Sequence, residues 1–258
     1  MSAFTRAHHS APFFSCQAWS PVLIAKFLIG LVLLPICWVS IETFFVSFGH
    51  AAKQGSFWRT PEFWFFTIGA VGWTVIFYTW RHKAMIWLYV AGHELTHAFF
   101  VLVCRGNVAE VKISSEGGHI LTNRNNFLIS LSPYFFPFYT IVLITLWGLV
   151  EWLFLDFTDG HRQILFGMIG LTWAFHLTFT IWMIQREQPD VDQNGRLFSF
   201  SMIILVNMLV ISGLLVAASP TVALSDFAVV WTANLVTFGP RFAESIREIW
   251  LSVEGMFG

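Results

Sequence analysis

Long apolar runs constrain the fold of this chain more than any other feature of its sequence. Hydrophobic residues make up 56% of the 258 positions and charged residues only 11%, whereas about a quarter of a soluble domain is charged. Each run is close to the ~20 residues that a helix needs to cross a membrane, and lipid offers no partner for open backbone groups. Six such runs predict helices, at residues 21–46, 61–80, 84–104, 127–150, 163–184 and 198–219.

The fold class predicted from these runs is an all-α polytopic membrane protein with about six transmembrane helices. No polar linker divides the chain, so we expect one membrane-embedded domain over residues 1–258 with its core at 84–219. A net charge of −1 without a basic cluster argues against a nucleic-acid partner and leaves the lipid bilayer as the expected surroundings. The cysteines Cys16, Cys37 and Cys104 form no CxxC pair, so no disulfide framework is predicted.

The most polar interior stretch, residues 105–126, follows the third run directly. Within it VAEVKIS alternates apolar and polar residues, as a half-exposed strand does, and GGHILT suits a returning strand. Gly117 and Gly118 supply a turn or bulge. We therefore expect a small β-hairpin or edge strand after the third helix, with His119 as an exposed loop residue.

The C-terminal part of the chain has a mixed composition. Residues 222–238 are apolar but carry Asp226 and Asn234, which leaves open whether this segment crosses, re-enters or lies flat on the membrane. From Gly239 onward, apolar residues recur at helical spacing opposite charged ones. That pattern predicts an amphipathic, interfacial helix over residues 240–254.

The third run carries two histidines and a glutamate inside the apolar stretch YVAGHELTHAFFVLVC. Residues four apart share one face of a helix, so His93 and His97 can reach a single metal ion, with Glu94 one step round. In this HExxH arrangement two imidazoles bind zinc and the glutamate takes a proton from the water that attacks a carbonyl. A carboxylate in the middle of a span costs at least ~2.5 kcal/mol, which favours a functional site over polar residues that merely pack between helices.

A catalytic zinc usually takes a third protein ligand, and the sequence offers two candidates. His176 lies eight residues before the end of its run and His97 seven before the end of its own, which corresponds to depths of about 12 and 10 Å. Depth therefore favours His176. Asp190 lies in the loop QREQPDVDQNG and would have to dip inward, which Pro189 and a polar cavity would permit. From the residues alone, both candidates stay open.

The segments GHELTHA, VCRGNVAEVKISSEGGHI and LISLSPYFFP resemble, in this order, the site-2 protease family of membrane-embedded zinc metalloproteases. The resemblance implies zinc as the cofactor, Glu94 as the general base, and a third ligand that is an aspartate opening a later helix after a proline. Asp190 matches that position, although Val191 replaces the glycine of the family and its Asn-Pro element is missing. His176 is then the alternative ligand or a donor behind the ligands.

The family resemblance also implies a function, which is hydrolysis of peptide bonds in a membrane-anchored protein substrate by a multi-pass protein of the bacterial cytoplasmic (inner) membrane. An extended substrate would add as a further strand to the strand at 108–114. One alternative is a non-proteolytic membrane protein that keeps the constellation as a metal site or as a subunit of a larger complex. A di-iron desaturase would need several histidine clusters, and no inverted repeat indicates a transporter.

Overall fold

A computed structural model describes residues 20–80, 82–154, 159–186, 188–219 and 222–257. Helices dominate these residues, and an antiparallel pair of strands, β1 (Val108–Ser114) and β2 (Gly117–Thr122), follows the third helix. Cys16 lies outside the described residues, and Cys37 and Cys104 are free thiols. The helices in chain order are α1 (Pro21–Lys53), α2 (Pro61–Thr79), α3 (Lys83–Val103), α4 (Phe127–Phe135), α5 (Phe138–Phe154), α6 (Asp159–Ile184), α7 (Pro189–Asp192), α8 (Arg196–Ala218) and α9 (Leu224–Phe257).

Several of these helices are long and apolar enough to cross a membrane. In the part of the chain that the structure describes, α1, α3, α6 and α8 meet that criterion individually, and α4 with α5 meets it only as a bent pair. Outward-facing apolar side chains such as those of Trp38 and Leu146 are more than half exposed, as expected for a surface that faces lipid. The predicted fold class is confirmed in its coarse form: a helical, multi-pass membrane protein with one small sheet.

The run at 127–150 does not form the single straight helix that was predicted. It breaks into α4 and α5, whose axes differ by 75°. Phe136, the residue before Pro137, has extended backbone angles of φ −98° and ψ 105°. A proline lacks a backbone N–H and disfavours helical geometry in the preceding residue, so Pro137 accounts for the break. The bend leaves α4 against α3 and turns α5 toward α6.

Helices α2 and α6 pack side by side and run in the same direction. Glu62 in the first turn of α2 pairs with Arg162 in the first turn of α6 (3.3 Å), and Phe77 near the end of α2 meets Phe179 (5.0 Å between ring centroids). Six complete crossings that alternate in direction would make the second and the fifth antiparallel. Because α2 and α6 are parallel, the segment between α3 and α6 cannot be one complete crossing. The break between α4 and α5 agrees with this.

The predicted β-hairpin is present and lies against α3, the helix that carries the HExxH residues. The turn occupies residues 115–116 only, and Gly117 follows it with φ 147°, a conformation that favours glycine. Because the turn is this short, His119 belongs to β2, opposite Lys112, and is half-buried. The prediction of His119 as an exposed loop residue is wrong.

The C-terminal segment forms one continuous helix, α9, which takes in most of 222–238 and all of the predicted helix at 240–254. The first half of α9 lies along α1: Trp231 Nε1 donates to Ser40 Oγ and Asn234 Nδ2 donates to Thr43 Oγ1, both at 3.1 Å. Residues 241–254 are exposed. A helix is therefore confirmed in this region, but it begins earlier than predicted, and its interfacial position stays a prediction.

Candidate metal centre

Three side chains from two distant segments converge at one point. His93 and His97 lie one turn apart on α3, and Asp190 lies on α7. The Nε2 atoms of the histidines are 3.2 Å apart, and Asp190 Oδ2 lies 3.7 Å from His93 Nε2 and 3.4 Å from His97 Nε2. Among the described residues, these form the cluster of metal-ligating side chains whose ligand atoms all lie within 4.8 Å of one another.

The spacing of these atoms fits a tetrahedral metal site. Zinc binds imidazole nitrogen and carboxylate oxygen at 2.0–2.2 Å, so two ligand atoms of a tetrahedron are roughly 3.3–3.6 Å apart. The observed separations of 3.2, 3.4 and 3.7 Å lie close to that range. Two imidazoles and a carboxylate also leave one tetrahedral position open for water or substrate, as in catalytic zinc sites. The residues present therefore fit a divalent transition metal such as zinc.

Hydrogen bonds on the far side of each imidazole orient its Nε2 atom toward the centre. His97 Nδ1 lies 2.7 Å from the carbonyl oxygen of Ile129, and His93 Nδ1 lies 3.3 Å from the hydroxyl of Tyr89. A carbonyl can only accept, so Nδ1 of His97 carries a proton, and in the neutral ring the lone pair on Nε2 faces the centre. Metal-ligating histidines are usually oriented in this way.

Asp190 reaches the site because the chain between α6 and α8 folds back toward α4. Pro189 opens the short helix α7, which packs on α4. From α4, the hydroxyl of Tyr134 donates to Gln188 Oε1 (3.1 Å) and to Asp190 Oδ2 (3.5 Å). Burial alone would raise the pKa of the Asp190 carboxyl, but the two histidine rings beside it hold that pKa well below its ordinary value. The carboxylate stays ionised, as a metal ligand must.

Glu94 lies beside the three clustered residues without belonging to the cluster. Its side chain is 6% exposed and lines a cavity of about 580 Å³, together with His93, His97 and Asp190. The cavity is bounded by α3, β2, the loop before α4 and the first turn of α4, the end of α6 and the α7 segment. A general base must be within reach of the water that it activates, and a shared cavity meets that requirement.

The hairpin covers this carboxylate closely. A Cβ added at Gly118 would lie 2.5 Å from Glu94 Cγ and 2.8 Å from the carbonyl oxygen of Lys112, so only glycine fits at this point of β2. Of the two strands, it is β2 that supplies lining residues of the cavity, His119 among them. The strand next to the site is therefore β2, whereas the sequence had indicated residues 108–114 for contact with a substrate.

His176 lies near the site but outside the cluster. Its side chain, on α6, is 7% exposed and shares a separate small cavity of about 20 Å³ with His93. Within the described residues, His176 Nε2 has no hydrogen-bond partner, and the same holds for Asn207 Oδ1 on α8. The depth comparison favoured His176 over Asp190. The structure reverses that preference, because the α7 segment carries the loop aspartate inward.

Sequence reasoning missed three residues that support the site. Tyr89 lies one helical turn before His93, so the same periodicity that pairs the histidines could have identified it. Tyr134 and Gln188 come from α4 and from the segment before α7, and no local pattern marks either of them as a neighbour of α3. Only the folded chain brings their side chains together.

Comparison of the chain with protein-family models, with curated proteins and with solved structures found no match. The chemistry of the clustered side chains is therefore the basis for a functional proposal. That chemistry comprises two oriented imidazoles, one ionised carboxylate and a second buried carboxylate, all facing one cavity.

Proposed function

We propose that this chain is a membrane-embedded zinc metalloendopeptidase that hydrolyses peptide bonds of membrane-anchored protein substrates, similar to the site-2 protease family. The observation that carries the proposal is the approach of Asp190 to His93 and His97 at tetrahedral spacing, beside the buried Glu94. An HExxH sequence supplies two ligands and a base, but a catalytic zinc site needs the third ligand and an open position.

Each polar side chain of the centre has a role in this proposal. His93, His97 and Asp190 would hold the zinc ion, which when bound lowers the pKa of water to ~7 and polarises the substrate carbonyl. Glu94 accepts a proton from the attacking water and passes it to the leaving amine. Its burial excludes bulk water from the position where that proton is held.

The cavity and the hairpin favour an extended substrate. In a two-stranded sheet each strand keeps one edge without a neighbouring strand, and β2 forms one wall of the cavity. A substrate segment would add alongside β2, with main-chain hydrogen bonds that hold its scissile carbonyl near His93 and His97. A substrate helix must unwind locally to do so, since its backbone groups are otherwise paired within the helix.

The number of crossings and the identity of the membrane are also part of the proposal. A re-entrant α4–α5 pair reconciles the parallel α2 and α6 with crossings that alternate in direction. The crossing helices would then be α1, α3, α6 and α8, together with α2, which does not meet the length and hydropathy criterion by itself. This is one crossing fewer than the six predicted. The bacterial cytoplasmic membrane is the location that the family resemblance implies.

Glu94→Gln tests the proposed activity. The amide keeps the size of the side chain but removes the base, so cleavage should fall by roughly 10²–10⁴-fold while one zinc ion per chain stays bound. New termini of membrane proteins are compared between cells that express the wild type and the variant, and zinc is measured in the purified proteins. Glu151→Gln, at an exposed position on α5, is the matched control. Unchanged cleavage by Glu94→Gln would contradict the proposal.

A second candidate function is that of a non-proteolytic metal-binding membrane protein, alone or as a subunit of a larger complex. The close cover of Glu94 by Gly118 favours it, because backbone within contact of the carboxylate restricts the room for a substrate. One zinc per chain, together with identical termini in wild-type and Glu94→Gln cells, would support this candidate over the peptidase.

A further inference from the structure

The segment that carries Asp190 depends on contacts outside its own helix. α7 has only four residues, too few to be stable as an isolated helix. Two residues after its end, the polar residue Asn194 is just 2% exposed. A buried amide is nearly always hydrogen-bonded, so the partners of Asn194 identify the part of the fold to which the segment is tied.

Asn194 connects the main chain of Asp190 to a lysine of the first helix. Its Nδ2 donates to the backbone carbonyl of Asp190 (2.9 Å), and its Oδ1 accepts from the Nζ of Lys26 (2.7 Å). Lys26 and Asn194 are 168 positions apart in the chain. One cation on α1 is thus joined, through a single amide, to the third residue of the cluster.

Close packing of α1 on α8 brings Lys26 to this place. A Cβ added at Gly30 would lie 3.0 Å from the backbone nitrogen of Phe198, so α1 touches the backbone in the first turn of α8. Gly30 lies one helical turn after Lys26, on the same face of α1. Lys26 lies in the second turn of α1 and is half-buried, so its ammonium group needs a polar partner. Here that partner is Asn194.

We infer that Lys26 and Asn194 are positioning residues of the metal centre: the ammonium group, acting through the amide, holds the main chain of Asp190 where its carboxylate meets the two histidines. The inference rests on the proposed function, since it assigns a role relative to the metal. Without the ammonium group, the Asn194 Oδ1 atom loses its donor and the amide no longer has a fixed orientation. Helix α1 precedes the predicted core at residues 84–219. It would then influence the affinity of the centre for the metal.

Lys26→Met tests this inference in the purified full-length protein in lipid nanodiscs. Methionine keeps an unbranched apolar chain but removes the ammonium group. We expect zinc affinity, measured by competition with a chelator, to fall by roughly tenfold or more, as on loss of other groups that orient ligands. Hydrogen exchange of the backbone over residues 188–195 should become faster. Lys26→Arg, which retains a donor, should restore most of the affinity.

Two further variants make the test specific. Lys53→Met is the same substitution at an exposed position at the end of the same helix, and it should leave zinc affinity unchanged. Asn194→Asp can still pair with Lys26 but cannot donate to the Asp190 carbonyl, so it should reproduce the loss of affinity even if Lys26→Met does not fold. In an Asp190→Ala background, Lys26→Met should cause no additional loss.

The outcomes separate this inference from the proposed function. If the wild type binds zinc and neither Lys26→Met nor Asn194→Asp weakens it, the positioning role is overturned and the proposed function stands. If the wild type binds no zinc, the proposed function is overturned. Hydrogen exchange then tests the bonds that join Lys26, Asn194 and Asp190. Unchanged exchange over residues 188–195 in both variants would show that these bonds do not hold the segment.

Discussion

The two halves of the metal centre are built in different ways. His93 and His97 lie one turn apart on α3, so the period of the helix alone sets their separation. Asp190 belongs to a four-residue helix that is joined to distant elements by hydrogen bonds, among them those from Lys26 of α1 through Asn194 and from Tyr134 of α4. We call the histidine pair the helical half, because it is set by local sequence. We call Asp190 the tertiary half, because contacts with distant segments surround it. Loosened packing should therefore displace the aspartate while the two histidines stay paired.

Removal of a ligand from the helical half should have the largest effect on metal binding. Structural zinc sites bind with 10–16 kcal/mol over four ligands, so the loss of the His97 imidazole in His97→Ala should cost about 3–4 kcal/mol, or roughly 10²–10³-fold in affinity. Zinc titration of the folded, purified variant measures this loss. His50→Ala, at an exposed position near the end of α1, should bind zinc as the wild type does.

A His97→Ala protein that keeps its full affinity would show that the metal is held elsewhere in the chain. An intermediate loss of zinc affinity would instead mean that a group of the tertiary half can move to replace an imidazole. His97 Nδ1 donates to the Ile129 carbonyl, and the variant abolishes this hydrogen bond. A change in the surroundings of that carbonyl would therefore reveal the movement.

Substitution in the tertiary half should have the next largest effect. Asp190→Asn keeps the shape of the side chain and an oxygen that can still ligate, but it removes the negative charge, so we expect zinc affinity to fall by roughly 100-fold. Asp192→Asn is the matched control on the same short helix, where the Asp192 carboxylate pairs with Arg196 at 2.7 Å and is 45% exposed. Equal effects of the two substitutions would mean that general charge, not ligation, matters in this segment.

The same division explains what could be predicted from the sequence. The histidine pair, Glu94 and the hairpin have local signals, namely a spacing of four residues and an alternating pattern. The structure has the three side chains on one helix and the two strands directly after it, whereas the roles of these side chains stay predictions. Asp190 was preferred to His176 only through a family resemblance. The depth comparison favoured His176 because it assumed that a residue between two membrane helices stays at their ends, and the backbone after Pro189 does not.

Tertiary packing also limited the prediction of the fold. Pro137 ends a helix inside a run that is apolar throughout, so hydropathy alone described one span where the structure has a bend of 75°. Pro240 lies inside α9, although the sequence had predicted a separate helix that starts at this proline. The two prolines differ in their surroundings: α9 is held along α1 on the side before Pro240, whereas α5 turns away to pack on α6. Such partners are distant in sequence and leave no local signal.

Two substitutions with the smallest expected effect each remove one hydroxyl, one from each half of the metal centre. Tyr134→Phe deletes the donor to Gln188 and Asp190 on the tertiary side and should lower zinc affinity by roughly tenfold. Tyr89→Phe deletes the partner of His93 Nδ1 on the helical side. The α3 backbone still orients His93 after that change, so the loss in affinity should be smaller than for Tyr134→Phe.

Both tyrosine variants keep their ring contacts, which makes them a matched pair. The ring of Tyr89 stacks on Phe179 (4.6 Å between centroids) and that of Tyr134 packs edge-on against His93 (5.3 Å), so both substitutions keep the packing of the rings. Zinc competition at equal protein stability measures the two losses side by side. If Tyr89→Phe lost more affinity than Tyr134→Phe, the helical half would be the one that depends on its tethers. Asp190 would then owe its position mainly to the backbone of α7.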